Sequence, residues 1–115
     1  MNYLGTELAN VEQAMEGDNG TDQQMIAMVG IQWIDLLLRK NRDYGCAVWK
    51  SPILDQKMSA KSAILVRMSD KIERLRTLIA SDRPGEVAES LEDTMQDLGA
   101  YALLYCACPK SQETK

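Results

Sequence analysis

The sequence predicts an all-α protein, a helical bundle of three main helices preceded by a short N-terminal helix. Leu, Ile, Val, Met and Ala dominate the apolar residues, while Phe is absent and only three prolines occur, which favours helices over strands. Apolar side chains recur at helical spacing in four segments that breaker residues or an aperiodic loop separate. A chain of 115 residues is one domain on size grounds, and we expect oligomerisation to complete its core.

Composition and charge exclude several functions. The net charge of -4 argues against general nucleic-acid binding, which needs clustered Lys and Arg, but it is compatible with a small anionic ligand held through a metal. The longest apolar run, Ala100 to Cys108, is far shorter than the roughly 20 residues that span a bilayer. The N-terminus lacks the basic start and apolar run of a signal peptide. We therefore expect a cytoplasmic protein with no membrane segment.

The three cysteines are Cys46, Cys106 and Cys108. They show no metal-ligand spacing beyond one Cys-x-Cys, and the chain has no histidine to complete a site. We interpret them as reduced thiols.

The first two helices have clear boundaries. Residues Thr6 to Glu16 show helical spacing and should form a short peripheral helix, because Gly17 to Gly20 is a strong breaker. Thr21 to Gln24 reads as a capping box that opens a second helix, which should run to about Arg39 or Asn41.

The second helix is unusually apolar. Its large apolar residues are too many for one narrow stripe, so the helix is either central in the bundle or shared with another subunit. They are Met25, Ile26, Met28, Val29, Ile31, Trp33, Ile34, Leu36, Leu37 and Leu38. The segment from Lys40 to Gly45 then forms a polar helix end with a glycine stop, where Lys40 and Arg42 suit the helix dipole.

The stretch from Cys46 to Met58 has no clear period and should be a loop. Because it contains Trp49, Ile53 and Leu54, whose side chains need apolar surroundings, we expect it to fold over the bundle as a cover. Such a cover could form one wall of a ligand pocket.

Ser59 is a good cap for a third helix from about Ala60 to Ala80. Its predicted core stripe is Leu65, Met68, Ile72, Leu75 and Ile79. The opposite side carries Arg67, Asp70, Lys71 and Arg74. That side is either an ordinary solvated face or part of a site in which Asp70 and Glu73 lie opposite carboxylates of the fourth helix.

The fourth helix follows a break at Ser81 to Gly85. If it begins near Ser90, Asp93 falls in its first turn, where the dipole favours an anion, and Ser90 to Asp93 is a variant capping box. Residues four apart form a row that begins acidic and ends aromatic: Glu89, Asp93, Asp97, Tyr101 and Tyr105. The core stripe is Val87, Leu91, Met95, Leu98, Ala102 and Tyr105. With apolar residues on both rows, the second half should be buried most of the way round.

Asp97 stands where the acidic row enters this apolar half. It gains little from the helix dipole and has a like-charged neighbour one turn earlier, which costs roughly 0.2 to 0.5 kcal/mol. A carboxylate in such a place needs a cation, a donor or a raised pKa. We expect something outside its own helix to compensate Asp97.

Three blocks together resemble a known family. They are Lys40-Asn-Arg-Asp43-Tyr44-Gly45, then Ile64 to Leu75 with Arg67, Asp70, Lys71 and Arg74, and then Glu89 to Ala102 with Asp93, Asp97 and Tyr101. In this order they look like the nucleotide modification associated domain 1 family of phages, prophages and bacteria. The resemblance covers roughly residues 25 to 107. It leaves residues 109 to 115 as a C-terminal tail that we expect to fray.

That family is in turn similar to the MazG-type all-α nucleoside triphosphate pyrophosphohydrolases. These are helical bundles, dimers or tetramers, whose Glu-x-x-Glu and Glu-x-x-Asp motifs hold magnesium. The resemblance implies that Asp70 and Glu73 stand for the first motif and Asp97 for the aspartate of the second. Two departures stand out: Asp70 replaces a glutamate, and position 94 is Thr94, so Asp93 or Glu92 would have to substitute.

The main functional hypothesis is a nucleotide-binding, magnesium-dependent pyrophosphohydrolase. Carboxylates without histidine suit Mg²⁺ or Mn²⁺ over Zn²⁺, and the metal would activate the attacking water. The expected catalytic and metal-binding residues are Asp70, Glu73, Asp93 and Asp97. The expected ligand-binding residues, which contact phosphates or stack on a base, are Lys40, Asp43, Tyr44, Trp49, Arg67, Lys71, Arg74 and Tyr101.

Two other hypotheses compete with hydrolysis. The first is a phage or bacterial protein that binds or sequesters a nucleotide or nucleotide signal without turnover, in which the acids pair with Arg67, Lys71 and Arg74 instead of metal. The second is a helical oligomerisation module held by salt bridges. Surface ion pairs contribute only about 0 to 1 kcal/mol each, so stability alone explains such a cluster poorly if it is buried.

Overall fold

All regular structure in the described residues is helical, as the sequence predicts. The structure is a computed structural model that describes residues 4–17, 21–43 and 47–109. It contains α1 (Gly5–Met15), α2 (Asp22–Asp43), a 3₁₀ turn (Ala47–Trp49), α3 (Ala60–Ile79) and α4 (Pro84–Ala107). Within these ranges, none of the helices combines the length and apolar character that crossing a membrane requires.

The chain divides into two compact units, Met1–Leu38 and Arg39–Lys115, and each is described here by itself. The expectation of a single domain, made on chain length alone, stays a prediction.

The first unit confirms the predicted junction between the two N-terminal helices. The hydroxyl of Thr21 accepts the backbone N–H of Gln24 at 3.2 Å, which is the capping-box bond that opens α2. The buried Gln24 also donates its amide N–H groups to the carbonyl oxygens of Met15 at 3.2 Å and Gly17 at 3.3 Å. These carbonyls close α1, so one side chain stabilises the end of one helix and the start of the next. Residues 18–20 of the predicted breaker lie outside the described residues.

The first unit by itself leaves most of the large apolar residues of α2 uncovered. More than a third of each of six large side chains is exposed: Met25, Ile26, Val29, Ile31, Ile34 and Leu38. Both explanations for this composition, a central position in the bundle and a position shared with another subunit, stay predictions. The helix continues to Asp43, slightly past its predicted end, and the proposed stop at Gly45 lies outside the described residues.

The second unit is built on α3 and α4. The hydroxyl of Ser59 accepts the N–H of Ser62 at 3.0 Å, which confirms the predicted cap of α3. The buried apolar residues of α3 are Ala60, Ala63, Ile64 and Leu75. Leu104 of α4 and Cys108, which follows α4, are also buried. Cys106 is exposed, and both Cys106 and Cys108 are free thiols, as predicted, whereas Cys46 lies outside the described residues.

The predicted core stripe of α3 is largely wrong. Leu75 is buried, but Leu65, Ile72 and Ile79 are 49%, 56% and 71% exposed, and Met68 is partly buried. The helix turns a different side toward α4, the side that carries the small residues and Ile64. Small side chains allow close approach of two backbones, and the long stems of Lys and Arg can cover apolar surface at the edges of the contact.

The start of α4 also differs from the prediction. The helix begins at Pro84, where proline suits the first turn, so Asp93 lies well inside it and gains nothing from the dipole. Ser90 is therefore not a cap, and its carbonyl instead accepts the hydroxyl of Thr94 at 2.7 Å. The second half of α4 is only partly covered, with Leu104 buried and Leu103 46% exposed. From residue 96 to 105 the other residues are partly buried, so the expected burial most of the way round is found only as partial cover.

Only the first part of the loop before α3, around Trp49, packs on the helices as predicted. The indole N–H of Trp49 donates to the carbonyl of Leu104 at 3.1 Å, so this residue packs on α4 as expected. Ile53 and Leu54 are 85% and 99% exposed, which contradicts the prediction for them. This part of the loop has local turn bonds, from Asp55 N–H to the carbonyl of Pro52 and from Met58 N–H to that of Asp55.

Candidate functional site

Side chains of α3 and α4 meet in a series of contacts in which α3 always supplies the cation. Four basic residues of α3 face four residues of α4, and we call these eight residues the basic seam. The pairs are Lys61 with Tyr105, Arg67 with Tyr101, Lys71 with Asp97, and Arg74 with Thr94. The residue number rises along α3 as it falls along α4, so the two helices run antiparallel. The predicted mixed-charge face of α3 is thus directed at α4.

The aromatic end of the seam consists of two cation–π contacts. The Nζ atom of Lys61 lies 4.7 Å from the ring centroid of Tyr105, and the Cζ atom of Arg67 lies 6.0 Å from that of Tyr101. Exposed contacts of this kind are worth about 0.5 to 1 kcal/mol. They orient a cation but do not cancel its charge, because the ring is neutral.

The centre of the seam is an ion pair. Nζ of Lys71 lies 3.1 Å from Oδ2 of Asp97, and the two side chains are 29% and 45% exposed. This pair confirms the expectation that Asp97 is compensated from outside its own helix. Lys71 is the compensating cation.

The other end of the seam is formed by a buried hydroxyl. Nε of Arg74 donates to Oγ1 of Thr94 at 3.3 Å, while Thr94, 2% exposed, donates its own proton to the carbonyl of Ser90. Position 94 is where the pyrophosphohydrolase motif has glutamate. Here its side chain fixes an arginine and is not an anionic oxygen that binds a metal.

The predicted carboxylate ligands have separate surroundings. Glu73 pairs with Arg76 on α3, with 3.0 Å between Oε2 and Nη2. Asp70 and Asp93 are exposed, and Asp97 pairs with Lys71. Within residues 4–17, 21–43 and 47–109 there is no group of three or more Cys, Asp or Glu side chains placed to hold a metal. A magnesium or manganese site at these four residues stays a prediction from the resemblance.

The remaining predicted ligand residues are spread along the chain. Lys40 is exposed on the last turn of α2, and Trp49 is engaged with the carbonyl of Leu104. The side chain of Asp43 and the whole of Tyr44 lie outside the described residues. Arg67, Lys71, Arg74 and Tyr101 are the ones that the basic seam brings together.

Sequence reasoning missed Lys61 and gave Thr94 no role beyond its departure from a motif. Both residues could have been found from the antiparallel alignment of α3 with α4. Once Lys71 is placed against Asp97, stepping three residues along each helix in opposite directions brings Arg74 to Thr94, and two to three turns the other way bring Lys61 to Tyr105.

Comparison of the chain with family models, curated proteins and solved structures finds no match. The family resemblance therefore stays a prediction, and the geometry of the basic seam carries the functional argument.

Proposed function

We propose that the protein binds a nucleotide, or a closely related phosphorylated small molecule, through the basic seam and does so without needing to hydrolyse it. One observation carries this proposal. Arg67 and Arg74 stand on either side of the Lys71–Asp97 pair, and their partners on α4 are a neutral ring and a neutral hydroxyl. Two guanidinium groups keep their charge there, in a chain whose net charge is -4.

The spacing of these cations suits an anion with several charged oxygens. Positions 67, 71 and 74 lie on one face of a helix, and a rise of 1.5 Å per residue separates the two arginines by about 10 Å along the axis. A bound phosphate chain can reach both arginines and accept bidentate bonds from their guanidinium groups.

The contacts with α4 also preorganise the site. Arg74 uses only Nε for the bond to Thr94, which leaves its two terminal nitrogens for a ligand. Arg67 is oriented by the ring of Tyr101, and an aromatic ring beside a phosphate site offers a surface on which a base can stack. Ordering these side chains before binding reduces the entropy that a ligand must overcome.

Magnesium-dependent hydrolysis is the rival account. Asp97 would then have to leave Lys71 to bind the metal, and Thr94 supplies no carboxylate. The binding hypothesis expects acids to pair with Arg67, Lys71 and Arg74. Lys71 pairs with Asp97, whereas Arg67 and Arg74 contact a ring and a hydroxyl. A role in the nucleotide metabolism of a bacterium or a phage-infected cell follows from the family resemblance alone.

The test is a calorimetric titration of the full chain with nucleoside triphosphates, a nucleoside and inorganic triphosphate, each with Mg²⁺ and with a chelator. We expect nucleoside triphosphates to bind both with Mg²⁺ and with the chelator. Inorganic triphosphate should bind more weakly, and the nucleoside should not bind. Affinity should fall with added salt, because exposed charges are screened. Absence of binding in every arm contradicts the proposal. Release of pyrophosphate that requires Mg²⁺ favours the hydrolase.

A further inference from the structure

We propose that the preferred ligand of the basic seam carries two phosphate groups separated by a sugar, as a nucleoside 3′,5′-bisphosphate does, instead of one unbroken phosphate chain. This inference rests on the proposed function and adds the class of ligand to it. The observation that carries it is the order of the charged groups along the seam, in which the Lys71–Asp97 pair lies between Arg67 and Arg74.

The two arginines of the seam are held at separate places by both helices. Arg67 and Arg74 are two turns apart on α3, which is about 10 Å along the axis. Their partners, Tyr101 and Thr94, are also two turns apart on α4. Because each guanidinium group is anchored to a different turn of α4, a ligand with anionic groups at two places engages both arginines better than a single phosphate group does.

The place between the arginines favours a neutral group that donates a hydrogen bond. Asp97 holds Nζ of Lys71 at 3.1 Å through Oδ2, and its side chain is 45% exposed. The pair has no net charge to attract a phosphate, and the carboxylate repels the middle of a phosphate chain. A carboxylate instead accepts strong hydrogen bonds from hydroxyl groups, as an acidic residue does from the ribose 2′-hydroxyl in dinucleotide-binding folds. The sugar of a bisphosphate brings such a hydroxyl to this place.

The aromatic ring beside Arg67 suits the same ligand. Tyr101 lies one turn after Asp97 on the same side of α4. A base that stacks on the ring of Tyr101 therefore has its sugar next to Asp97. The two phosphate groups then extend toward Arg67 and Arg74.

The test is calorimetric titration of the full chain, in the presence of a chelator, with adenosine 3′,5′-bisphosphate and with adenosine 5′-diphosphate. These two isomers contain the same atoms and the same base, and they differ in whether the sugar separates the two phosphate groups. We expect the bisphosphate to bind at least about tenfold more tightly than the diphosphate. The 2′-deoxy form of the bisphosphate should bind about fivefold more weakly, because it lacks the hydroxyl that donates to Asp97.

Two variants show whether Asp97 is the source of the preference. Asp97→Asn should reduce the preference for the bisphosphate to about twofold or less, because it tightens binding of the diphosphate alone. Glu89→Gln is the matched control, since it neutralises an exposed carboxylate two turns earlier on α4, and it should keep the full preference. Circular dichroism should show equal helix content in both variants and the wild type.

The comparison of the two isomers needs no variant. Equal affinities in the wild type, or tighter binding of the diphosphate, overturn this inference but leave the proposed function standing, because both compounds then bind. A preference that persists in folded Asp97→Asn, or an equal affinity for the 2′-deoxy compound, also overturns it. Failure of the wild type to bind either isomer contradicts the proposed function and this inference together.

Discussion

The Nζ atom of Lys71 lies 3.1 Å from Oδ2 of Asp97, so an ion pair joins α3 and α4 near the middle of each helix. Both side chains remain partly exposed, and such a pair contributes only about 0 to 1 kcal/mol to stability. Its larger effect is on the seam, because it neutralises the central cation and leaves the flanking arginines as the charged groups. The Lys71–Asp97 pair thus lies between the charged groups of Arg67 and Arg74.

This relationship predicts the effect of removing the Asp97 charge. Asp97→Asn frees Lys71 for a ligand and removes a carboxylate that repels phosphate. For partly exposed charges this is worth up to about 1 kcal/mol, or roughly fivefold tighter binding of a nucleoside triphosphate. Calorimetric titration at low salt measures it. An affinity that falls, together with loss of Mg²⁺-dependent turnover, would instead identify Asp97 as a metal ligand.

The buried hydroxyl of Thr94 should matter for stability. Thr94→Val keeps the volume but leaves Arg74 without its partner on α4, and we expect the free energy of unfolding to fall by about 1 kcal/mol. Thr77 is the natural control, because its hydroxyl also donates to a carbonyl of its own helix, that of Glu73, at 3.1 Å, but it is exposed. Thr77→Val should change stability by less than about 0.5 kcal/mol. Urea denaturation measures the free energy of unfolding of both variants. If the two substitutions lower it equally, the bond from Arg74 to Thr94 contributes nothing to stability.

The two ends of the loop before α3 should respond differently to substitution. Trp49→Phe removes the hydrogen bond to the carbonyl of Leu104 while keeping an aromatic ring, at a cost of about 0.5 to 1.5 kcal/mol. Leu54→Ala alters a fully exposed side chain and should have almost no effect on the free energy of unfolding. Thermal denaturation of the two variants measures the difference. A larger loss for Leu54→Ala would show that the loop tip packs on something.

Local signals in the sequence were sufficient for the starts of α2 and α3, but not for the start of α4. The capping residues Thr21 and Ser59 fix where α2 and α3 begin, because a hydroxyl that accepts a backbone N–H acts within three residues. That Asp97 has a partner outside its helix could also be anticipated, since a carboxylate entering an apolar zone must be compensated, but Lys71 was not identified as that partner. These are short-range or single-group arguments.

The side that α3 turns toward α4 could not be predicted. The large aliphatic residues Leu65, Ile72 and Ile79 give the stronger periodicity, but Ala60 and Ala63 allow the closer approach of two backbones. Periodicity identifies an apolar row without saying which neighbour covers it. The orientation of α3 also decides which of its charged side chains reach α4.

The central claim is that Arg67 and Arg74 are unneutralised cations that bind phosphate. The most direct measurement is the affinity for a nucleoside triphosphate of the double variant Arg67→Ala, Arg74→Ala, compared with Arg76→Ala, whose guanidinium already pairs with Glu73. Each charge-assisted bond contributes about 1.5 to 3 kcal/mol, so the double variant should bind at least about a hundredfold more weakly, with Arg76→Ala close to the wild type. Equal affinities in the wild type and the double variant, with both folded, would contradict the account.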